Sequence, residues 1–141
     1  MARALAWGAR GRTFKSCRPD IYLIKIIMKF TQDSDHMIVV YVTCESVEQA
    51  EQIGEHIMKK KLCACVNIYK DMQPMFFWPP KTGNIDKSKE VVLLLKSVKS
   101  KYDDIEKEIT KIHTYDVPCI FAIPVMAVAD GYWEWLNGEM E

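Results

Sequence analysis

The amino-acid sequence predicts an α+β fold for the part of the chain from Met37 to Glu141. Short runs of β-branched and aromatic residues, typical of strands, alternate with segments whose apolar residues recur at helical intervals. The 141 residues are 49% hydrophobic and 27% charged, which is typical of a globular domain and not of a disordered or membrane chain. We therefore expect a single domain with one hydrophobic core.

The strands are predicted from their apolar runs and from the turn residues that bound them. They are MIVVYVT (37–43), LCACVNIY (62–69), PMFFW (74–78), EVVLLLKSV (90–98) and CIFAIPV (119–125). The first run is apolar on both faces, as in a central strand. The last run ends near Pro124, which predicts an edge strand or a strand end there, because proline cannot donate to a neighbouring strand.

Helices are predicted where polar capping residues precede a helical pattern. Ser46 and Gln49 have the spacing of a capping box, and the helix that they open ends at three lysines, 59–61. Ser100 and Asp103 have the same spacing at the start of a second helix. A short third helix is expected from Asp130 to about residue 138.

The order of these elements predicts a ferredoxin-like split βαβ sandwich, with an extra strand piece and a short C-terminal helix. The formal net charge is zero, and the residues after Met126 contain no lysine or arginine. The sequence also has no glycine-rich phosphate loop. These features argue against a nucleic-acid or nucleotide-binding function.

Residues 1–36 differ in composition from the rest, and we predict that they form an extension outside the domain 37–141. All four arginines lie within the first 18 residues, and the first acidic residue is Asp20. The apolar run 21–30 contains two lysines, so it is too short and too charged to span a bilayer. A targeting presequence, an unstructured extension and an added strand or helix all stay open, with Met28 and Met37 as alternative starts.

Five cysteines without a convincing secretory signal argue against a disulfide framework, so we expect reduced thiols. On a strand, Cys63, Cys65 and Asn67 would share one face, and the two sulfur atoms would lie about 6.5–7 Å apart along the chain. That spacing suits a metal only if further ligands converge on it. Packing in the core is the simpler interpretation of this pair.

The segment KIHTYDVP places His113, Tyr115 and Asp116 together where a helix gives way to a strand. Junctions of this kind often carry sites, so a metal or small-ligand contact is one interpretation. A capping histidine is the other. Cys44, at the end of the first strand, is a further candidate metal ligand. The dense aromatic residues Trp78, Trp133 and Trp135 predict an interface or a ligand groove.

The segments KKKLCACVNI, MFFW, EVVLLLKS, HTYDVPCIFAIPV and GYWEWL together resemble the CutA divalent-cation tolerance proteins in order and spacing, from Met37 to about Leu136. The resemblance implies a homotrimer with a proposed role in binding and tolerance of copper and other divalent metals, and no established catalytic activity. It places Cys65 at the cysteine of the family's ACVN strand, and His113 and Tyr115 at the histidine and tyrosine of its HPY motif.

Several positions depart from the family pattern. Thr114 replaces the proline of HPY, and Cys63 stands where the family commonly has alanine. Val42 and Ile112 occupy positions where some bacterial members have a cysteine and a second histidine. Cys44, two residues after Val42, is the residue that could substitute for the missing cysteine. The turn WPPKTGN is also about three residues longer than is usual in the family.

The resulting hypothesis is a non-enzymatic, trimeric CutA-like protein that binds copper or another divalent metal through His113, Cys65 and Cys44. The alternative is a scaffold or regulatory module that binds a partner protein or a small metabolite between subunits, with Tyr115, Trp133 and Trp135 at the contact. A thiol-dependent enzyme is disfavoured, because no base is placed beside a cysteine. We expect a cytoplasmic protein, or a mitochondrial one if residues 1–36 act as a presequence.

Overall fold

The computed structural model describes residues 35–141, so most of the predicted extension lies outside the described residues. The elements are β1 (Met37–Cys44), α1 (Val47–Lys59), β2 (Cys65–Met72), β3 (Met75–Phe77), β4 (Ile85–Lys87), β5 (Glu90–Val98), a 3-10 turn (Lys99–Lys101), α2 (Tyr102–Ile112), β6 (Ile120–Pro124) and α3 (Asp130–Glu139). Each predicted strand and helix is present.

Four strands form one antiparallel sheet in the order β2, β5, β1, β6. α1 connects β1 to β2, but β5 lies between these two strands in the sheet, which is the split βαβ arrangement. β1 is central and β6, which ends at Pro124, is an edge strand, both as predicted. The predicted ferredoxin-like α+β fold is confirmed.

The main core lies between α1, α2 and one face of the sheet. Alternate residues of the two central strands point toward the helices, because side chains alternate between the faces of a strand. The buried residues of this core include Ile38, Val40, Val42, Cys44, Ala50, Ile53, Ile57, Val91, Leu93, Leu95, Ile105 and Ile109. The helical spacing of the isoleucines in α1 and α2 therefore marks their buried faces correctly.

The opposite face of the sheet is covered only in part. α3 packs over one end of it, in a second cluster of buried residues: Met37, Ala64, Val98, Leu136 and Met140. The remaining area, here called the open face, consists of Val39, Tyr41, Leu94, Phe121 and Ile123, which are cross-strand neighbours. Phe121 is 44% exposed and Ile123 is 46% exposed. β1 was expected to be buried on both faces, but in a single subunit its second face is buried only at the ends.

The starts of the three helices test the capping predictions. Ser46 caps α1 as predicted, since its Oγ accepts the backbone N–H of Gln49 at 3.1 Å. The prediction for Ser100 was wrong, because a 3-10 turn precedes α2 and Ser100 bonds to the carboxylate of Asp35. Asp130 is also not a cap: Ala129 holds that position, without a side-chain bond.

The two close cysteines do not lie on a common face. β2 begins only at Cys65, and Cys63 precedes it. Cys63 is buried in the helix-side core, against which Val66 and Ile68 of β2 also pack. The predicted alternation through Cys63, Cys65 and Asn67 was therefore wrong, because the chain enters the strand later than its apolar run suggests.

The extra strand piece is a separate hairpin of β3 and β4, outside the main sheet. Its apolar side chains are largely exposed: Met75 at 70%, Phe77 at 69% and Ile85 at 65%. Trp78, directly after β3, is also more than half exposed. Within residues 35–141 this apolar hairpin has little to pack against.

Glu108 of α2 joins the two helices through their outer surface. Its carboxylate accepts hydrogen bonds from Lys111 and from His56 at 2.9 Å, and it pairs with Lys60 at 3.3 Å. These bonds, led by the one from Lys111, lower the pKa of Glu108 from 4.5 to about 2. The carboxylate is thus more acidic in the folded state than in the unfolded chain.

Substituting Glu108→Gln is expected to reduce the loss of stability on acidification. A carboxyl with a depressed folded pKa contributes stability that is present above its unfolded pKa and is lost as the pH falls from about 4.5 toward about 2. The midpoint temperature of thermal unfolding, measured across this pH window, should fall less steeply in the variant than in the wild type. Glu51→Gln, at an exposed position of α1, is the matched control. Identical pH dependence in all three proteins would contradict the assignment.

Candidate functional site

His113 lies at the C-terminal end of α2, where it connects the helix to β1. Its Nε2 is 2.8 Å from the backbone carbonyl of Thr43, and its Nδ1 accepts the backbone N–H of Tyr115 at 3.1 Å. Since Nδ1 accepts, Nε2 carries the hydrogen and donates to Thr43. Both ring nitrogens are therefore engaged within the subunit.

Tyr115 extends this hydrogen-bonded chain to β5. Its ring lies 5.0 Å from the His113 ring, and its hydroxyl donates to Glu90 at 3.1 Å. Burial and the charge of Glu90 raise the pKa of Tyr115 to about 12, so the hydroxyl keeps its proton at neutral pH. Sequence analysis did not identify Glu90 as part of this group. The signal that could have found it is an acidic residue at the start of an otherwise apolar strand.

Cys44 lies at the same end of the sheet as His113. It directly follows Thr43, whose carbonyl accepts from His113, and it is fully buried. Burial, with added repulsion from Glu90 and Glu45, raises its pKa to about 12. Cys44 is thus a protonated thiol at neutral pH, and it is the residue after the one whose carbonyl accepts from His113.

Cys65 lies far from these two residues. Cys44 pairs with Val91 of β5, whereas Cys65 pairs with Lys96, five residues further along the same strand. This corresponds to about 16 Å at the rise of a strand. Cys65 and Cys44 therefore cannot ligate one metal ion within a single subunit.

The surroundings of Cys65 are basic and aromatic. Burial lowers the pKa of Lys96, but the neighbouring Cys65 and Tyr132 more than offset that effect, and the pKa is raised overall. The Lys96 ammonium lies 5.8 Å from the centre of the Tyr132 ring. This group links β2 and β5 to α3 and has no connection to His113.

The other candidates are spread over the molecule. Asp116 follows Tyr115 and is exposed. Trp133 is a residue of α3 and packs against the second cluster. Trp135 is 42% exposed and lies beside Tyr132. Trp78 lies next to the exposed hairpin. Of these, only Asp116 lies beside the group formed by His113, Tyr115 and Cys44.

Gln49 secures the loop that carries His113 and Tyr115. This buried side chain accepts the backbone N–H of Glu45 at 2.9 Å and donates to the hydroxyl of Thr114 at 2.6 Å. Thr114 is the residue that replaces the proline of the family motif, and its hydroxyl gives the loop a bond that proline could not form. The sequence suggested only the capping role of Gln49.

Residues 35–141 of one subunit do not fit a copper or other divalent metal ion. Within residues 35–141 no group of three or more histidine, cysteine, aspartate or glutamate side chains is placed to hold one. The nitrogens of His113 are occupied, and burial raises the pKa of Cys63 as well as that of Cys44 to about 12.

The helices of residues 35–141 include none with the length and apolar character of a membrane span.

Comparison with known proteins identifies the family to which this chain is similar. A family model for the CutA1 divalent ion tolerance protein matches residues 38–139. The divalent-cation tolerance protein CutA of Pyrococcus horikoshii is 34% identical over 103 residues, which are 73% of this chain and 97% of that protein. The corresponding protein of Archaeoglobus fulgidus is 32% identical over 102 residues, 72% of this chain and 96% of that one.

Solved structures show the same fold. The periplasmic divalent cation tolerance protein CutA from Archaeoglobus fulgidus matches with a TM-score of 0.70 and 31% identity, covering 74% of this chain and 99% of that one.

A sequence relative comes from a different compartment. The chloroplastic CutA protein of Arabidopsis thaliana is 33% identical over 100 residues, 71% of this chain and 53% of that protein. The relatives are therefore named for different compartments.

Proposed function

Since this chain belongs to the CutA1 divalent ion tolerance protein family, we propose that it is a non-catalytic homotrimer with a role in divalent-metal tolerance, copper included. The role in metal tolerance rests on the family, and the open face of the sheet carries the proposal of a trimer. Val39, Tyr41, Leu94, Phe121 and Ile123 form a continuous apolar surface that a single subunit leaves half-exposed. Association of subunits would remove this surface from water, which is favourable.

The exposed hairpin supports the same assembly. Met75, Phe77 and Ile85 are each at least 65% exposed, although they are large and apolar. Among the described residues, β6 and β2 are the outer strands of the four-stranded sheet, and each leaves an edge to which another strand can pair. A closed trimer would cover the hairpins and the sheet edges together.

Copper binding through residues 35–141 requires donors from more than one subunit, because this part of one subunit offers too few. His113 and Cys44 are close, whereas Cys65 is at the other end of β5. A set of ligands can be completed only where subunits meet or where existing hydrogen bonds are broken. Cys65 therefore acts at a different place of the assembly from Cys44 and His113, and His113 takes part only if its hydrogen bonds break.

Native mass spectrometry of the reduced protein tests assembly and metal binding together. We expect a species of three times the 16.3 kDa chain mass, and copper that is retained by the trimer but lost on dissociation into subunits. Copper that stays on the isolated subunit would overturn the requirement for several subunits. A monomer at micromolar concentration would overturn the trimer itself.

A scaffold or regulatory module is the second candidate, with a partner protein or metabolite bound between subunits. The observation in its favour is that the hydrogen bonds of His113 orient Tyr115 and leave no ring nitrogen for a metal. Trp135, which is 42% exposed, is available for such a contact. This function predicts a trimer that a chelator leaves intact and that binds no copper beyond that expected of free thiols.

The compartment forms part of the same proposal. Cys44, Cys63, Cys65 and Cys119 are free thiols, which suits a reducing compartment such as the cytoplasm. A mitochondrial location is the alternative if residues 1–36 act as a presequence. The mass of the mature protein distinguishes a retained extension from a cleaved one.

A further inference from the structure

Lys96 places a positive charge at the border of the apolar open face. It lies on β5 directly opposite Val39 of β1 and Cys65 of β2, so its side chain is on the same face of the sheet as Val39. The side chain is only partly exposed, and within residues 35–141 it forms no ion pair. Lys96 has therefore lost part of its hydration without gaining a counter-charge from this part of the chain.

Tyr132 of α3 lies at the same position on the sheet. The Lys96 ammonium is 5.8 Å from the centre of the Tyr132 ring. The Tyr132 hydroxyl is buried and has no hydrogen-bond partner among the described residues. A lysine ammonium can only donate hydrogen bonds, so it cannot accept the hydrogen of this hydroxyl. Both groups therefore lack an acceptor, and a buried donor without one is costly.

The acidic residues of α3 do not supply this acceptor. Asp130 and Glu134 lie two residues before and two residues after Tyr132, and side chains at that spacing do not face the same side of a helix. Glu139 is about 10 Å further along the helix than Tyr132. All three are exposed, and none of them forms an ion pair within the described part of the chain. Since the thiol of Cys65 is only a weak acceptor, the missing acceptor must come from elsewhere.

The proposed trimer would take Lys96 further out of water. Val39, directly opposite Lys96, belongs to the open face, so a subunit placed over this face would also cover the lysine. A charge that is buried without a partner opposes assembly. Association through the open face is therefore most favourable if the second copy brings an acceptor to Lys96.

Carboxylates outnumber lysines in this chain. From Met37 to Glu141 there are 12 lysines and 16 acidic residues. Within the described residues only Glu55 and Glu108 take part in ion pairs. In this part of the chain, most carboxylates are therefore not held by a lysine, and a second copy can present one of them to its neighbour.

We propose that, in the assembly, Lys96 and the Tyr132 hydroxyl together bind a carboxylate of a second copy of this chain, an inference that rests on the proposed trimer. The two oxygens of a carboxylate can accept from the ammonium and from the hydroxyl at once. They also supply the negative charge that Lys96 lacks. Because a hydrogen-bonded ion pair is directional, this contact fixes how the subunits are oriented, which apolar packing alone does less well.

Coupling of the full-length reduced protein with a water-soluble carbodiimide tests the contact directly, because this reagent joins an amine to a carboxylate where the two are in contact. Trimers are assembled from a mixture of 15N-labelled and unlabelled chains, so that mass spectrometry distinguishes links between subunits from links within one. The digest should show Lys96 linked to an acidic residue of another subunit, which also identifies the partner. Lys107→Met, at an exposed position of α2, should leave this link unchanged.

Sedimentation velocity of the variants measures what the contact contributes to assembly. Lys96→Met leaves the carboxylate of the second copy without a partner, so the dissociation constant should rise roughly tenfold or more. Lys96→Arg keeps the charge and should retain most of the affinity, and Lys107→Met should assemble as the wild type does. Tyr132→Phe removes only one of the two donors and should have a smaller effect than Lys96→Met.

The inference requires both the link and the weaker assembly. It is overturned if the wild type forms trimers in which Lys96 is not linked to another subunit, or if Lys96→Met assembles as tightly as the wild type. Either result leaves the trimer and its role in metal tolerance standing. A wild type that is monomeric at micromolar concentration would instead overturn the trimer, and this contact with it. Circular dichroism checks that the variants are folded, and the coupling experiment on the wild type needs no variant.

Discussion

Replacing Ile123 with lysine is expected to convert the proposed trimer into monomers at micromolar concentration. Ile123 lies on the open face of β6, opposite Val39 and two residues from Phe121. It is 46% exposed in one subunit, so a lysine there is tolerated by the monomer. In the assembly the same lysine would be buried without a partner, at a cost of about 3–5 kcal/mol for each unpaired charge. The dissociation constant should therefore rise roughly a hundredfold or more.

Sedimentation velocity over a range of concentrations measures this effect, and circular dichroism checks that the monomer is folded. Met58→Lys is the matched control, because Met58 is a large apolar residue with similar exposure, 39%, but lies on α1 at the other side of the sheet. The control should sediment as the wild type does. A trimer of unchanged stability in Ile123→Lys would show that the open face lies outside the subunit interface.

The arrangement of the fold was predictable because its signals are local or periodic. The apolar run of β1 indicated a central strand, and Pro124 indicated the end of the edge strand β6. Ser46 was identified as a cap because it bonds to Gln49, only three residues away. Where the physical cause lies within a few residues, the pattern and the structure agree.

Of the two helix starts that were predicted wrongly, one depends on a distant residue. Ser100 has the spacing of a capping box, yet it bonds to Asp35, which is 65 residues earlier in the chain. Asp130 has the correct residue type for a cap, but the helix includes it as its first residue and Ala129 precedes it. Local preference was overridden in the first case by a tertiary hydrogen bond, which no spacing along the chain could reveal.

The candidate site shows the same limit. His113 and Tyr115 were identified from one short segment, but Glu90 was missed, because its contact with Tyr115 depends on the end of α2 meeting the start of β5. The separation of Cys44 from Cys65 likewise follows from strand register, which places their partners on β5 five residues apart. Register is set by the whole sheet, so pairs of ligands on different strands could not be tested from sequence.

His113→Ala is expected to lower the free energy of unfolding by about 2 kcal/mol and to leave the copper affinity of the protein unchanged. The substitution removes the donor to the Thr43 carbonyl and the acceptor for the Tyr115 N–H. Leaving a buried backbone group without a partner costs about 1–3 kcal/mol, and Thr43 is only 8% exposed. Copper affinity should not change, because both nitrogens are engaged in these bonds and neither is available to a metal. Urea unfolding and copper titration provide the two measurements.

Two further variants separate the two hydrogen bonds of His113. In His113→Asn the amide oxygen lies about where Nδ1 is, so the bond from Tyr115 can be kept while the bond to Thr43 is lost. In His113→Gln the amide nitrogen can reach toward Thr43 in place of Nε2, while the acceptor for Tyr115 is lost. Each should therefore recover part of the stability lost in the alanine variant. If all three variants are as stable as the wild type but bind copper more weakly, His113 is a metal ligand and its hydrogen bonds contribute little to the fold.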